Sequence, residues 1–171
     1  KKKPKRIQHG TRKSQKTKMK IPERKHISLR PPAANLRLEN GHFEVDLMVF
    51  SATKTVLAVF VDRCSRKTWA YINPNKKAHT MADTIREFVC DVGICNVKSL
   101  SFDNGTENFY HHIVRHEFDT FDTFFCDPYA SWQKGTVENT NKLLRQYFPR
   151  HIIPNHNSLN IALSKLNNRP R

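Results

Sequence analysis

The chain of 171 residues has only four cysteines, Cys64, Cys90, Cys95 and Cys126, and none forms a CxxC pair. A zinc ribbon and a dithiol redox motif are thereby excluded, and four buried or half-buried thiols in a reducing compartment are expected. Apolar runs long enough to span a bilayer are missing, as is a secretory leader, so no membrane partner is expected. No Ser-His or Cys-His arrangement offers a side-chain nucleophile. His112 and His116 stand at i,i+4 spacing, but no cysteine or third ligand near them makes a zinc site.

Acidic residues are scarce at the front of the chain. Residues 1–40 hold fourteen of the thirty lysines and arginines but only two of the fifteen acids, Glu23 and Glu39. The remaining sixteen bases face thirteen acids over residues 41–171. A nearly balanced domain thus carries a strongly basic arm, and such an arm attracts polyanions, above all nucleic acid. The arm has no helical apolar face, and Pro4, Gly10 and Pro22 interrupt it, which argues against a membrane surface. Lys13, Lys16, Lys18 and Lys20 are its candidate DNA contacts. Pro31-Pro32 reads as an extended linker, so the division expected is an arm over 1–40 and a folded domain over 41–171, starting near His42. The opening inside a lysine run and the ending after Arg171 suggest a piece of a longer protein.

Within the domain, residues 42–50 alternate before turning apolar, residues 55–62 are almost continuously apolar, and residues 67–72 come after a short connection. These read as three antiparallel strands joined by hairpins. Residues 78–92 place Met81, Ile85, Phe88, Val89 and Val92 at helical spacing. A strand over 97–102 ends at Asp103-Asn104-Gly105, a turn signal. A short helix over 107–118, a strand over 121–126, a helix over 136–148 with Val137, Leu144, Tyr147 and Phe148 inward, and a helix over 159–166 complete the pattern. A meander followed by strand–helix–strand crossovers predicts an α/β fold, a mixed five-stranded sheet flanked by helices.

Three carboxylates stand where such a sheet would gather them. Asp46 lies mid-strand between Val45 and Leu47, where an uncompensated charge is costly. Asp103 stands at the carboxyl end of a strand, where open sheets display functional groups. Glu138 opens a helix that would pass over both. Three carboxylates in this order suit two Mg²⁺ ions, with Mn²⁺ as substitute, roughly 3.5–4 Å apart in two-metal sites. Taken singly, Asp103 also reads as a turn starter and Glu138 as a helix-dipole charge. Glu44, on the strand face of Asp46, with Asn104 and Asn141, are candidates for a supporting shell. Asp62 is expected to pair with Arg63 or Arg66, and Glu107 to cap a helix. Lys142 and Arg145 lie along the Glu138 face and, with Lys134, are candidate phosphate contacts; Tyr129 and Trp132 are candidate stacking groups or loop packing.

The segments HFEVD (42–46), FDNGTE (102–107), DPYASWQKGTVENTNKLLRQYFPR (127–150) and LNNRPR (166–171) together resemble the insertion-sequence transposases of the IS-thirty type. These belong to the Asp-Asp-Glu transposase and retroviral integrase superfamily. The 34 residues between Asp103 and Glu138 match the spacing such enzymes use. The resemblance covers about residues 42–171 and implies a ribonuclease H-like fold in an integrase-type catalytic core, truncated at its C-terminal side. It further implies Asp46, Asp103 and Glu138 as catalytic metal ligands, cleavage at transposon ends, and strand transfer of a 3′-hydroxyl into target DNA. Action as a homo-oligomer on DNA, in the bacterial cytoplasm on the nucleoid, is implied as well. A ribonuclease H-like nuclease without strand transfer and an inactive DNA-binding remnant are the alternative functions.

Overall fold

The computed structural model describes residues 20–51 and 53–170, so Lys13, Lys16 and Lys18 lie outside the described residues. Its strands are β1 (Lys25–His26), β2 (His42–Val49), β3 (Val56–Asp62), β4 (Thr68–Asn73), β5 (Ser99–Phe102) and β6 (Asp122–Phe125). The helices are α1 (Pro32–Leu36), α2 (Ala78–Val92), α3 (His111–Phe118), α4 (Gly135–Tyr147) and α5 (His156–Asn167). Together the strands form one sheet in the order β1-β6-β5-β2-β3-β4. β2, β3 and β4 run antiparallel, whereas β5, β6 and β1 continue parallel to β2.

Alternation along β2 decides what lies on each side. Phe43 and Val45 face a core built with Phe60, Ile85, Phe88 and Leu100 under α2 and α3. Met48 faces the opposite core, where Leu57, Val59, Val137, Leu144 and Leu166 pack under α4 and α5. The period of two therefore puts Glu44 and Asp46 on the α4 side. β3 is buried at every residue because both layers cover it, which explains its unbroken apolar run.

Several expectations are corrected. The sheet has six strands, because residues 20–40 are not a free linker. β1 pairs with β6 in the parallel direction, Ile27 and Ala34 are buried, and Pro31-Pro32 opens α1 with proline at a first-turn position, where its missing N–H costs nothing. The arm sequence hid this because a two-residue strand carries no periodicity. Cys126 is buried and Cys64 half-buried, but Cys90 and Cys95 are exposed on and just beyond α2. The other helix and strand expectations hold within a few residues, with Tyr147 exposed rather than inward.

His111 is buried, its ring bonded to the Thr123 hydroxyl and the Pro22 carbonyl, and burial lowers its pKa to about 4. His116 pairs with Glu23, so these histidines hold the strap of residues 20–40 against α3. A chain beginning at Gly41 is expected to lose about 3 kcal/mol or more relative to one beginning at Lys20, since it exposes the Ile27 site and the β6 edge; urea unfolding of the two chains measures this.

Candidate active site

The parallel pairing of β2 with β5 matches His42 to Ser99 and Glu44 to Ser101. Two residues further, the same register brings Asp46 level with Asp103, just past the end of β5. Convergence of the two aspartates is thus a consequence of strand register. α4 crosses this end of the sheet and supplies Glu138 to the same cavity, of about 740 Å³, which Asn104, Tyr129 and Lys134 also line.

Lys134 occupies the centre. Its side chain is buried, and its ammonium donates to the Val45 carbonyl at 2.9 Å and to Asp46 Oδ1 at 3.0 Å, with Asp103 Oδ2 at 3.6 Å. Burial opposes its charge, yet the Asp46 and Asp103 carboxylates outweigh that and raise its pKa. Sequence reasoning placed Lys134 on DNA phosphate. The structure turns it inward because two carboxylates and a strand-end carbonyl offer an ammonium more than solvent does.

Neighbouring amides hold the acids. Asn141 donates to Asp46 Oδ2 at 2.7 Å, one helical turn beyond Val137. Asp103 Oδ1 accepts from the Gly105 backbone at 3.0 Å and from Asn108 Nδ2 at 3.1 Å. Asn104 donates to the Cys126 carbonyl at 2.8 Å, tying the ends of β5 and β6 together. Sequence reasoning missed Asn108 and Glu107 as site residues. Glu107 lies close enough to Asp103 that burial, with the aspartate's charge, raises its pKa. The Asp-Asn-Gly signal accounts for a turn and for nothing beyond it, and an asparagine five residues after an acid carries no motif.

Glu138 pairs with Lys142 at 3.1 Å, and both are well exposed. Glu138, Asn141, Lys142, Arg145 and Arg150 line a groove that runs from Asp46 along α4. Arg145 donates to the Val49 carbonyl at 2.6 Å and lies over the Phe50 ring, so part of its guanidinium is engaged by the protein. Tyr129 is exposed at the cavity, Trp132 is exposed two residues before Lys134, and Lys20 is exposed on the strap.

Beneath α4, Glu44 is completely buried. One of its oxygens accepts from the Val137 backbone N–H at 2.8 Å, and the other pairs with Arg63, whose Nε bonds the Ala34 carbonyl. Arg63 is thus the partner of Glu44. Asp62 instead accepts from Gly41, Cys64 and Ser65 and shapes the turn after β3.

Among the described residues, no three His, Cys, Asp or Glu side chains gather closely enough to hold a metal ion. The donor chemistry nevertheless fits a hard divalent cation: the candidate donors are carboxylate oxygens, and two of these carboxylates already converge on a cation, the Lys134 ammonium.

Comparison with known proteins bears on this arrangement. The family model for the integrase core domain matches residues 37–131, a span holding Asp46 and Asp103 but ending before Glu138. The transposase for insertion sequence element IS1086 of Cupriavidus metallidurans is 32% identical over 154 residues, covering 88% of this chain and 45% of that protein. Transposase InsI for insertion sequence element IS30A of Escherichia coli is 34% identical over 176 aligned residues, covering 96% and 44%. The chain therefore spans less than half the length of these curated relatives. Among solved structures, the catalytic core domain of BIV integrase superimposes with a TM-score of 0.62 at 21% identity, over 78% of this chain and 87% of that one. A chain of the simian T-cell lymphotropic virus intasome gives 0.60 at 20%, over 77% and 55%. The ribonuclease H-like architecture is common to them.

Removing one partner of the buried Glu44–Arg63 pair strands the other charge. Arg63→Met is expected to cost about 3–5 kcal/mol in chemical denaturation, far more than Lys142→Met on the exposed face of α4.

Proposed function

This chain belongs to the integrase core domain family, and from that premise we propose that it is the part of an IS30-type transposase that cuts transposon ends and transfers a 3′-hydroxyl end into target DNA. The observation that carries the reading is the convergence of Asp46 and Asp103 on one cation, in a cavity that Glu138 also lines. A phosphodiester has no need of a side-chain nucleophile when metal-held oxygens do the work.

Asp46, Asp103 and Glu138 are the residues that hold Mg²⁺, as two ions, with Mn²⁺ able to replace it. When bound, such ions activate the attacking hydroxyl and stabilise the departing oxygen. The remaining contributions come from the protein. Lys134 holds Asp46 and Asp103 together against their mutual repulsion. Asn141 and Asn108 fix the rotation of the two aspartates, while the Glu44 anchor on Val137 fixes where α4 sets Glu138. Lys142, Arg145 and Arg150 give the adjoining groove the charge that a DNA strand requires. The lysine-rich arm, Lys13, Lys16 and Lys18 included, adds phosphate contacts to that of Lys20. Assembly as a homo-oligomer on paired DNA ends fits the intasome likeness, and action on bacterial DNA fits the bacterial transposase relatives.

Asp103→Asn is expected to abolish metal-dependent cleavage of duplex DNA while thermal stability and DNA affinity persist. Asn141→Ala is expected to lower the rate about 10–100-fold by releasing Asp46. Cleavage that continues undiminished in the Asp103→Asn protein would sink the assignment, and joined products with a 3′-hydroxyl donor separate strand transfer from hydrolysis alone. Removing residues 1–19, which hold nine lysines and arginines, leaves β1 intact. It is expected to weaken duplex binding and to flatten the dependence of log K on log salt; fluorescence anisotropy across a salt series checks this.

A further inference from the structure

Each aspartate of the site has one oxygen fixed by amides and one that faces a cation. Asn141 holds Asp46 Oδ2, while the Gly105 N–H and Asn108 hold Asp103 Oδ1. The other two oxygens, Asp46 Oδ1 and Asp103 Oδ2, meet the Lys134 ammonium at 3.0 and 3.6 Å. A divalent ion that bridges the two aspartates needs this same pair of oxygens. Mg²⁺ draws each such oxygen to about 2.1 Å, so ion and ammonium compete for one seat. Their like charges, brought so close, repel as well.

Lys134 is placed to leave. Its side chain lines the cavity of about 740 Å³, into which the stem can swing by bond rotation while the turn Ser131–Lys134 keeps its backbone. A third contact of the ammonium, the Val45 carbonyl at 2.9 Å, is a neutral acceptor. A second observation points to a hydrated cation at Asp46. Asn141 Oδ1 is buried and has no hydrogen-bond partner among the described residues, although the same amide holds Asp46. Mg²⁺ keeps several of its waters, and a water O–H beside Asp46 supplies the donor that this oxygen lacks.

We infer that the Lys134 ammonium is the stand-in for a divalent ion at Asp46 and Asp103, and that the ion expels it into the cavity on binding. Lys134 thereby sets the metal affinity of the site, and its charge faces the cavity only once the ion is seated. The inference rests on the metal-dependent reading above and extends it, since Lys134 holds the aspartates together only until the ion takes them over.

The test reads metal binding and lysine exposure, with no DNA present. Mn²⁺ is titrated into the unchanged chain, Lys134→Gln, Lys134→Arg and Asp46→Asn, and free Mn²⁺ is followed by its electron paramagnetic resonance signal. Removing the competing charge is expected to tighten Mn²⁺ binding about tenfold in Lys134→Gln. Lys134→Arg, which keeps a cation, is expected to bind no more tightly than the unchanged chain, and Asp46→Asn to lose the site. In the metal-free state Lys134→Gln is expected to melt below the unchanged chain, because its two aspartates face each other without a cation, and to gain more in melting temperature from Mn²⁺. A second arm needs no variant and so stands even if Lys134→Gln folds poorly. The unchanged chain is acylated at its lysines with and without Mg²⁺, and mass spectrometry compares Lys134 with Lys165, exposed on α5. Labelling of Lys134 relative to Lys165 is expected to rise several-fold with Mg²⁺, whereas a lysine that merely shapes the site would be protected further. Mn²⁺ binding that is equal or weaker in Lys134→Gln, or Lys134 labelling that stays level or falls with Mg²⁺, overturns the exchange. Mn²⁺ binding that survives Asp46→Asn undiminished, or is missing from the unchanged chain and Lys134→Gln alike, overturns the metal reading itself.

Discussion

The buried pair of Glu44 and Arg63 is the constraint on which the remainder is hung. Glu44 accepts from the first turn of α4 through Val137, and Arg63 reaches the Ala34 carbonyl in the strap. One ion pair therefore joins β2, the end of β3, α1 and α4. A buried pair of this kind contributes little net stability against well-packed apolar groups, because both charges lose their water. Its value is directional. An apolar side chain at 44 would fill the space without fixing where the helix begins, and the start of α4 determines what Lys134, Glu138 and Asn141 reach.

From that fixed point the site is a matter of matched charges. Two aspartates placed level by strand register repel each other, and an ammonium carried by the residue just before α4 lies between them. Arg30 shows the same economy behind the site. It is buried with its guanidinium on Ser101 and Asn35, and burial together with the charge of Arg63 lowers its pKa to about 10. Each buried charge in this region thus has a named partner on a different element, which makes the polar network a tie between elements as well as a chemical centre.

Much of this was legible in the sequence, for identifiable reasons. Strands β2 to β4 and helix α2 declare themselves because long periodic segments leave one interpretation. Asp46 was conspicuous since a charge between Val45 and Leu47 has few structural uses. The hidden features depend on contacts between remote residues. The strap's entry into the sheet rests on the two residues of β1, too few to show a period. Lys134 looked like a phosphate contact because a lysine ahead of a helix is usually solvated; its inward course is set by Val45 and Asp46, 88 or more positions away. Likewise, Arg63 beside Asp62 suggests a neighbour pair, but the backbone N–H groups of Gly41, Cys64 and Ser65 occupy Asp62, and Arg63 pairs with Glu44, 19 positions back in the chain.

If the proposed reading holds, a centre made of carboxylates is a poor place for a polyanion. Asp46, Asp103, Glu107 and Glu138 would repel DNA phosphates, and residues 41–171 hold thirteen acids against sixteen bases, too even a balance for bulk charge to overcome this. Attraction must therefore come from position. Lys134 neutralises the aspartates from within, and Lys142, Arg145 and Arg150 line the groove on one side of α4. On the proposed reading, a helix with Glu138 in its first turn and Lys142 and Arg145 further along it would hold a strand beside the carboxylates, the remaining repulsion being left to a bound cation. The groove cations and Glu138 thus share one side of α4, and where that side stands is set by the hydrogen bond from the Val137 N–H to Glu44.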